Sequence, residues 1–283
     1  MRGMLAVILL VTFFTNPLYA GEFTGTLLQI KKSGKIRVGY RQSQAPMSFL
    51  GKNGIPAGYS IDLCKEIIFG INNKIGGNVN IEYVPVTAAD RFEALSDNRI
   101  DILCGSTTKT LSRRELVDFT QLTFITGASL LTLSNRKDTS DLNGKKIGVV
   151  KGTTTIATLK KLFLKMKTDA EIVPISSTAE GINALEKGKI DAFAADQVVL
   201  IGLVLNAVNP LNFSILPKLL SYEPFALAVR RNDADFRLEA DRVISRLYRT
   251  KQILPIYDKW FGKFSNKMLS EIDVMININA TPE

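Results

Sequence analysis

EALSDNRIDILCGST, residues 93–107, is answered further along the chain by NALEKGKIDAFAADQ, residues 183–197. Ala94-Leu95 and Ile100-Asp101 stand at the same spacing as Ala184-Leu185 and Ile190-Asp191. Each copy reads as the end of a helix, a tight polar turn, and a buried strand, because the apolar runs IDILC and IDAFAA follow turn residues. A second pair lies upstream of the first. SGKIRVGYR (33–41) resembles GKKIGVVKG (144–152), each a short strand after a Gly-Lys turn. Helical stretches follow at 60–69 and 155–167, and further strands at 78–86 and 170–176. Each half therefore reads strand, helix, strand, helix, strand. That alternation specifies an α/β fold, with a mostly parallel sheet and flanking helices in each of two lobes.

The remainder holds a strand, FALAVRR (225–231), a helix over about 233–250, and ILPIYDKWFG (253–262). A separate domain with a single strand would bury too little core, so this tail is expected to return to the first lobe. Residues 21–123 and 226–283 then form lobe one, and 128–220 form lobe two. Two crossings, 123–127 and 221–225, make a hinge, and a hinge makes a cleft that can close.

Composition bounds the function. The chain has 283 residues, 46% apolar and 22% charged, with a formal net charge of +9. Arg2, the apolar run MLAVILLVTFF (4–14), the break at Asn16-Pro17 and the small Ala20 have the anatomy of a secretory signal peptide, residues 1–20. The run is too short to span a bilayer, which needs roughly 20 apolar residues. The densest basic patch, LKKLFLKMK, has the spacing of a solvated amphipathic helix and does not imply nucleic acid. The chain has no histidine, which removes histidine metal sites and Ser-His or Cys-His nucleophiles. No cofactor or metal is expected. Cys64, in the first helix, and Cys104, at the end of a strand beside it, are expected to form one disulfide in an exported chain.

In open α/β sheets ligands bind beyond the carboxyl ends of the strands. Those ends hold Arg41, Arg91, the run Gly105-Ser106-Thr107-Thr108 with Arg113 nearby, Lys151-Gly152-Thr153-Thr154-Thr155, and Asp196. By the repeat, Ser106 and Asp196 are equivalent positions. Hydroxyls, glycines, three arginines and one carboxylate suit a zwitterion. A guanidinium fork and helix-start N–H groups match an α-carboxylate, and a carboxylate matches an α-ammonium. Each has a plainer reading: Thr153 to Thr155 as a helix cap, Asp196 as a cap, Arg113 as a surface residue, and Trp260 as core.

These residues are carried by GKIRVGYRQSQAPMSF, GYSIDLC, PVTAADRFEAL, DILCGSTTKTLSRRELVDFT, GKKIGVVKGTTT, KIDAFAADQ and IYDKWFG. Together they resemble the family 3 solute-binding proteins of polar-amino-acid ABC transporters, most closely the periplasmic glutamate/aspartate-binding proteins. The resemblance covers nearly all of the chain after the signal segment. It implies a type II periplasmic-binding-protein fold, with a free amino acid and a transporter permease as partners, acting as a monomer in the periplasm. It implies that Ser106, Thr108 and Arg113, helped by Thr153 and Thr154, hold the α-carboxylate, that Asp196 holds the α-ammonium, and that Arg41 and Arg91 receive a side-chain carboxylate. Ala88 stands where acidic-ligand members carry a serine, and Glu180 where they carry a histidine. An inward Glu180 would favour glutamine; an outward one, glutamate or aspartate. Lys151 and Phe225 are further candidates for specificity. A dehydratase acting on prephenate or arogenate is the competing reading on the same fold; it needs a general acid, for which Glu180 or Lys151 are the candidates.

Overall fold

The computed structural model describes residues 23–135, 141–264 and 268–283. The expected signal segment lies outside the described residues. Among those described, no helix is long and apolar enough to cross a membrane.

The first lobe opens with α1 (Gly25–Ser33) and β1 (Lys35–Tyr40). A small antiparallel sheet follows, of β2 (Ser43–Gln44), β3 (Ser48–Leu50) and β4 (Pro56–Ala57). Then come α2 (Tyr59–Ile75), β5 (Asn80–Pro85), α3 (Arg91–Ser96), β6 (Ile102–Cys104) and β7 (Val117–Thr126). The second lobe contains β8 (Ala128–Leu133), β9 (Lys146–Val150), α4 (Thr155–Met166), β10 (Glu171–Ile175), α5 (Thr178–Glu186), β11 (Ala192–Asp196), α6 (Gln197–Leu205) and β12 (Phe213–Ile215). The chain returns as β13 (Glu223–Arg230), α7 (Ala234–Arg249), α8 (Ile253–Phe261) and α9 (Ser270–Ile278).

The two main sheets have orders β5-β1-β6-β13-β7 and β10-β9-β11-β8-β12. In each, four strands run the same way, three of them paired in parallel as the alternation with helices requires, and one, β13 or β8, runs against both its neighbours. The reversed strands, β8 and β13, are those by which the chain enters each lobe from the other. They enter directly and without a crossover helix, so they need not run parallel. The tail's strand β13 lies in the first sheet, between β6 and β7.

The stretches expected as hinge are largely paired strand. β7 runs on to Thr126, β13 starts at Glu223, and these two residues face each other. Between the sheets lie Gly127 on the way out and residues 216–222 on the way back. Between Leu122 and Ala128 the run LTFITGA has Gly127 as its one turn residue, so the boundary of β7 and β8 leaves little trace in the sequence.

The first lobe's core gathers α2, α7 and α8 around the sheet. Ile61, Leu63, Ile67 and Ile71 share the buried face of α2, while Phe236, Ile244 and Tyr248 line that of α7. Cys64, on the same α2 face, bonds to Cys104 at a Cα–Cα distance of 6.4 Å. Trp260 is partly buried against this core, edge-on to Phe49, and its indole N–H donates to Asp62 Oδ2 at 2.8 Å.

Candidate functional site

The carboxyl ends of β1, β6, β9 and β11 face one another across the two lobes. Arg41 follows β1 and is 7% exposed. Burial lowers its pKa to about 10, against the raising influence of Asp90 and Asp196. Arg91 opens α3 and is 2% exposed. Burial, then Arg113, then Arg41 push its pKa well down. Such a cluster of cations in a shielded place is stabilised by anions.

Both forks reach the opposite lobe. Arg91 donates to the Ala88 carbonyl and, at 3.1 Å, to the Gly152 carbonyl. Arg113 donates to the Thr108 carbonyl at 2.8 Å and to Gly152 at 3.3 Å. Both guanidiniums lie over the ring of Phe92, at 4.5 and 5.4 Å. Gly152 has φ +77°, and a Cβ there would stand 2.7 Å from the Ala88 carbonyl oxygen. Only glycine allows the lobes to approach so closely at this turn. Burial also lowers the pKa of Arg113, opposed by Glu223 and Asp196.

Asp196 ends β11 and precedes α6, but its side chain makes no capping bond. Its Oδ1 is shielded from solvent and has no hydrogen-bond partner among the described residues, and the same holds for Arg91 Nε. Burial, reinforced by Glu223, raises the Asp196 pKa to about 7, against the pull of Arg113, Arg91 and Arg41. A small cavity adjoins it, lined by Gln44 from the first lobe and by Val150, Thr153, Thr178 and Asp196 from the second.

The threonines are not simple caps. Thr154 precedes α4 but makes no side-chain capping bond. Its hydroxyl donates to Glu223 Oε2 at 2.7 Å, and Thr108 donates to the same oxygen at 2.6 Å. Thr153 donates to the Val150 carbonyl at 2.8 Å. Ser106 is buried and donates to Gln44 Oε1 at 2.7 Å.

Of the residues weighed for specificity, Ala88 is buried and lends its carbonyl to Arg91. Lys151 is exposed. Glu180 is exposed too. Its Oε2 accepts the Ser176 N–H at 3.0 Å, and its own N–H donates to Ser177 Oγ at 3.1 Å, so it caps α5. The Ser176 bonds hold its pKa low. Phe225 is fully buried in the first lobe's core, 6.3 Å from Phe124, and is a packing residue.

Sequence reasoning passed over three residues. Glu223 lies in a stretch read as hinge. Gln44 sits inside GKIRVGYRQSQAPMSF without a role. Thr178 donates across the cleft to the Ser43 carbonyl, and its oxygen lies 2.8 Å from Ser43 Oγ. Only Gln44 carried a signal, its closeness to Arg41 after the first strand.

The pattern that defines bacterial extracellular solute-binding proteins, family 3, matches residues 36–263. The L-glutamate/L-aspartate-binding protein of Pseudomonas aeruginosa is 32% identical over 263 residues, spanning 92% of this chain and 87% of that protein. The glutamate/aspartate import solute-binding protein of Salmonella typhimurium is 32% identical over 239 residues, spanning 83% of this chain and 79% of its own length. A solved structure of an ancestral arginine-binding protein bound to glutamine shares the fold, with a TM-score of 0.72 at 27% identity over 81% of this chain and 98% of that one. The two-lobe α/β architecture, the motif spacing and these likenesses agree: the chain belongs to the bacterial extracellular solute-binding proteins of family 3.

Proposed function

We propose that the protein captures a free acidic L-amino acid, glutamate or aspartate, between its lobes and delivers it to the permease of an ABC transporter. The carrying observation is a pair of buried atoms from oppositely charged groups on opposite lobes, Arg91 Nε and Asp196 Oδ1, both without a hydrogen-bond partner among the described residues. A buried polar atom left without a partner costs about 1–3 kcal/mol, more in a charged group. A zwitterion offers a carboxylate to the guanidiniums and an ammonium to Asp196, and so answers both. In this reading Arg113 and the backbone N–H groups beside Ser106, Thr108, Thr153 and Thr154 anchor the α-carboxylate, while Arg41 and Arg91 receive the side chain.

Charge balance supports an acidic ligand. The shielded groups of the cleft are Arg41, Arg91 and Arg113 against Asp196 and Glu223. With Asp196 ionised, as an ammonium requires, one positive charge is left in excess, which a ligand of net charge −1 neutralises and a glutamine does not. Glu180, the acid that would have cancelled it, is exposed and engaged in capping α5. The signal-like residues 1–20 support export to the periplasm, where such a capture step would operate.

Calorimetric competition among glutamate, aspartate, glutamine, asparagine and arginine tests the assignment. Glutamate or aspartate is expected to bind at least about tenfold more tightly than its amide, about 1.4 kcal/mol. An amide preference would transfer the assignment to glutamine. One observation favours a different class: Asp196, with a pKa of about 7, has the acidity of a general acid. Incubation with prephenate or arogenate, watched for aromatic product, separates that dehydratase reading from binding.

A further inference from the structure

Glu223 is 2% exposed and opens β13 where the chain returns to the first lobe. Its carboxylate collects three hydroxyls. Oε2 accepts from Thr108 of the first lobe at 2.6 Å and from Thr154 of the second at 2.7 Å. Oε1 accepts from Ser221 at 2.7 Å. Ser221 Oγ in turn accepts the Ala128 backbone N–H at 3.1 Å, on the outbound crossing. One side chain thus ties both lobes and both crossings together.

We propose that Glu223 is a positioning residue of the binding site: its carboxylate pairs Thr108 with Thr154 when the lobes adjoin, and so stabilises the closed cleft. The inference rests on the cleft being where an amino acid binds.

The bond can exist only with the lobes together, because Thr108 and Thr154 stand on different lobes and meet at one oxygen. Parting them would leave a buried carboxylate short of one charge-assisted bond, a stronger kind than a neutral one. The arrangement also sorts donors from acceptors. A hydroxyl has one proton. With that proton given to Glu223, Thr108 and Thr154 meet anything else as acceptors, which suits an ammonium. An anion must then be met by N–H groups, those of Arg113 and the start of α4. The charged neighbours fit this division. Asp196 feels Glu223 on one side and Arg113, Arg91 and Arg41 on the other.

Four variants test the proposal: Glu223→Ala, Glu223→Gln, Thr154→Val and the double variant Glu223→Ala/Thr154→Val. In small-angle scattering of the ligand-free protein, Glu223→Ala and Thr154→Val should each expand the particle. The double variant should expand it no further, since both cut the same link. In calorimetry with L-glutamate and L-glutamine, each single variant should weaken the tighter ligand about tenfold or more. The double variant should lose clearly less than the product of the two. Glu223→Gln keeps an acceptor but removes the charge, so the pH midpoint of binding should move down. Unchanged scattering, or losses that multiply in full, would overturn the proposal. Should the wild type bind neither probe, the functional reading fails, and the scattering arm still decides the link: expansion upholds it and its absence overturns it. Should Glu223→Ala not fold, Thr154→Val decides by the same criterion.

Discussion

In the first lobe the turn after α3 ends at Asp101, and in the second the turn after α5 ends at Asp191. Each aspartate N–H donates at 2.7 Å to a carbonyl of its lobe's leading strand, that of Arg37 or Lys146. Each carboxylate accepts the N–H of the same residue, at 2.7 and 2.9 Å. Each strand carries a glycine two positions on, Gly39 or Gly148, where a Cβ would stand 2.4 or 2.5 Å from Cδ1 of Ile100 or Ile190. Down to these contacts the two lobes are one design. They part where the strands end. Arg91 in the first lobe corresponds to Gly181 in the second, whose missing side chain makes room for Phe193. Ser106 corresponds to Asp196. The first lobe thus presents cations and the second a carboxylate and hydroxyls. A repeat preserves what every lobe needs to fold, while residues beyond the last ladder bond are free to diverge into complementary chemistry.

The largest effect should come from removing that complementarity. Arg113→Ala and Asp196→Ala each leave the opposite charge buried without its partner, a cost of about 3–5 kcal/mol. Calorimetry should then show affinity for the preferred amino acid falling by roughly a hundredfold to several thousandfold, with circular dichroism unchanged. Near-parental affinity in both variants would break the comparison, because the two lobes would then not share one ligand.

The disulfide belongs to the first lobe alone, with Ala194 standing in the second where Cys104 stands in the first. The bond links positions 40 residues apart. On the loop-entropy account its reduction should cost about 3–4 kcal/mol. Urea titration under reducing and oxidising conditions measures this. Two free thiols in the unfolded, unreduced protein would refute the bond directly.

A smaller, graded effect should follow pH. Asp196 has its pKa raised to about 7, burial being the main cause and Glu223 the second. Its folded value lies above the ordinary carboxylate value, so between about pH 4 and 7 the folded protein holds a proton that the unfolded chain releases. Stability from this group is present below that window and is lost as pH rises through it. Binding runs the other way, since an ammonium needs the ionised form. Affinity should fall by up to about tenfold per unit below pH 7 and level off above it. Asp196→Asn should flatten both curves; a wild-type affinity independent of pH from about 5.5 to 8 would contradict the assignment.

The smallest effect sharpens the comparison from the solvent side. Asp90 and Glu180 occupy matching positions before α3 and within the first turn of α5. Each accepts a backbone N–H ahead of its helix, from Thr87 at 2.7 Å and from Ser176 at 3.0 Å. As a cap facing water, Glu180 should matter little to the ligand. Glu180→Gln should leave the glutamate-to-glutamine preference within about twofold of wild type, as surface changes away from a site generally do. A switch in preference would place that side chain against the ligand.

Much of this architecture is legible in the linear sequence. The repeat, its strand-helix alternation and the donor-rich strand ends are local patterns, and local patterns survive in a linear string because periodicity and turn chemistry act over a few residues. The union of Cys64 with Cys104 is legible for the same reason, since both belong to elements that periodicity marks out. Other features depend on which distant segments come to lie side by side. Strands β7 and β8 merge into one apolar run, and only their pairing with β13 and β11 divides them. Whether Glu180 turns inward or outward depends on a cap formed with Ser176 and Ser177. Glu223 has no motif around it in SYEPF. It becomes part of the site because Thr108, some 115 positions earlier, and Thr154, some 69 earlier, converge on its carboxylate. The sequence by itself determined two matching frames and the kinds of group at their edges. The tertiary structure alone decided which of those groups share a buried space, because burial and proximity, not residue type, set how strongly charges and hydroxyls act on one another.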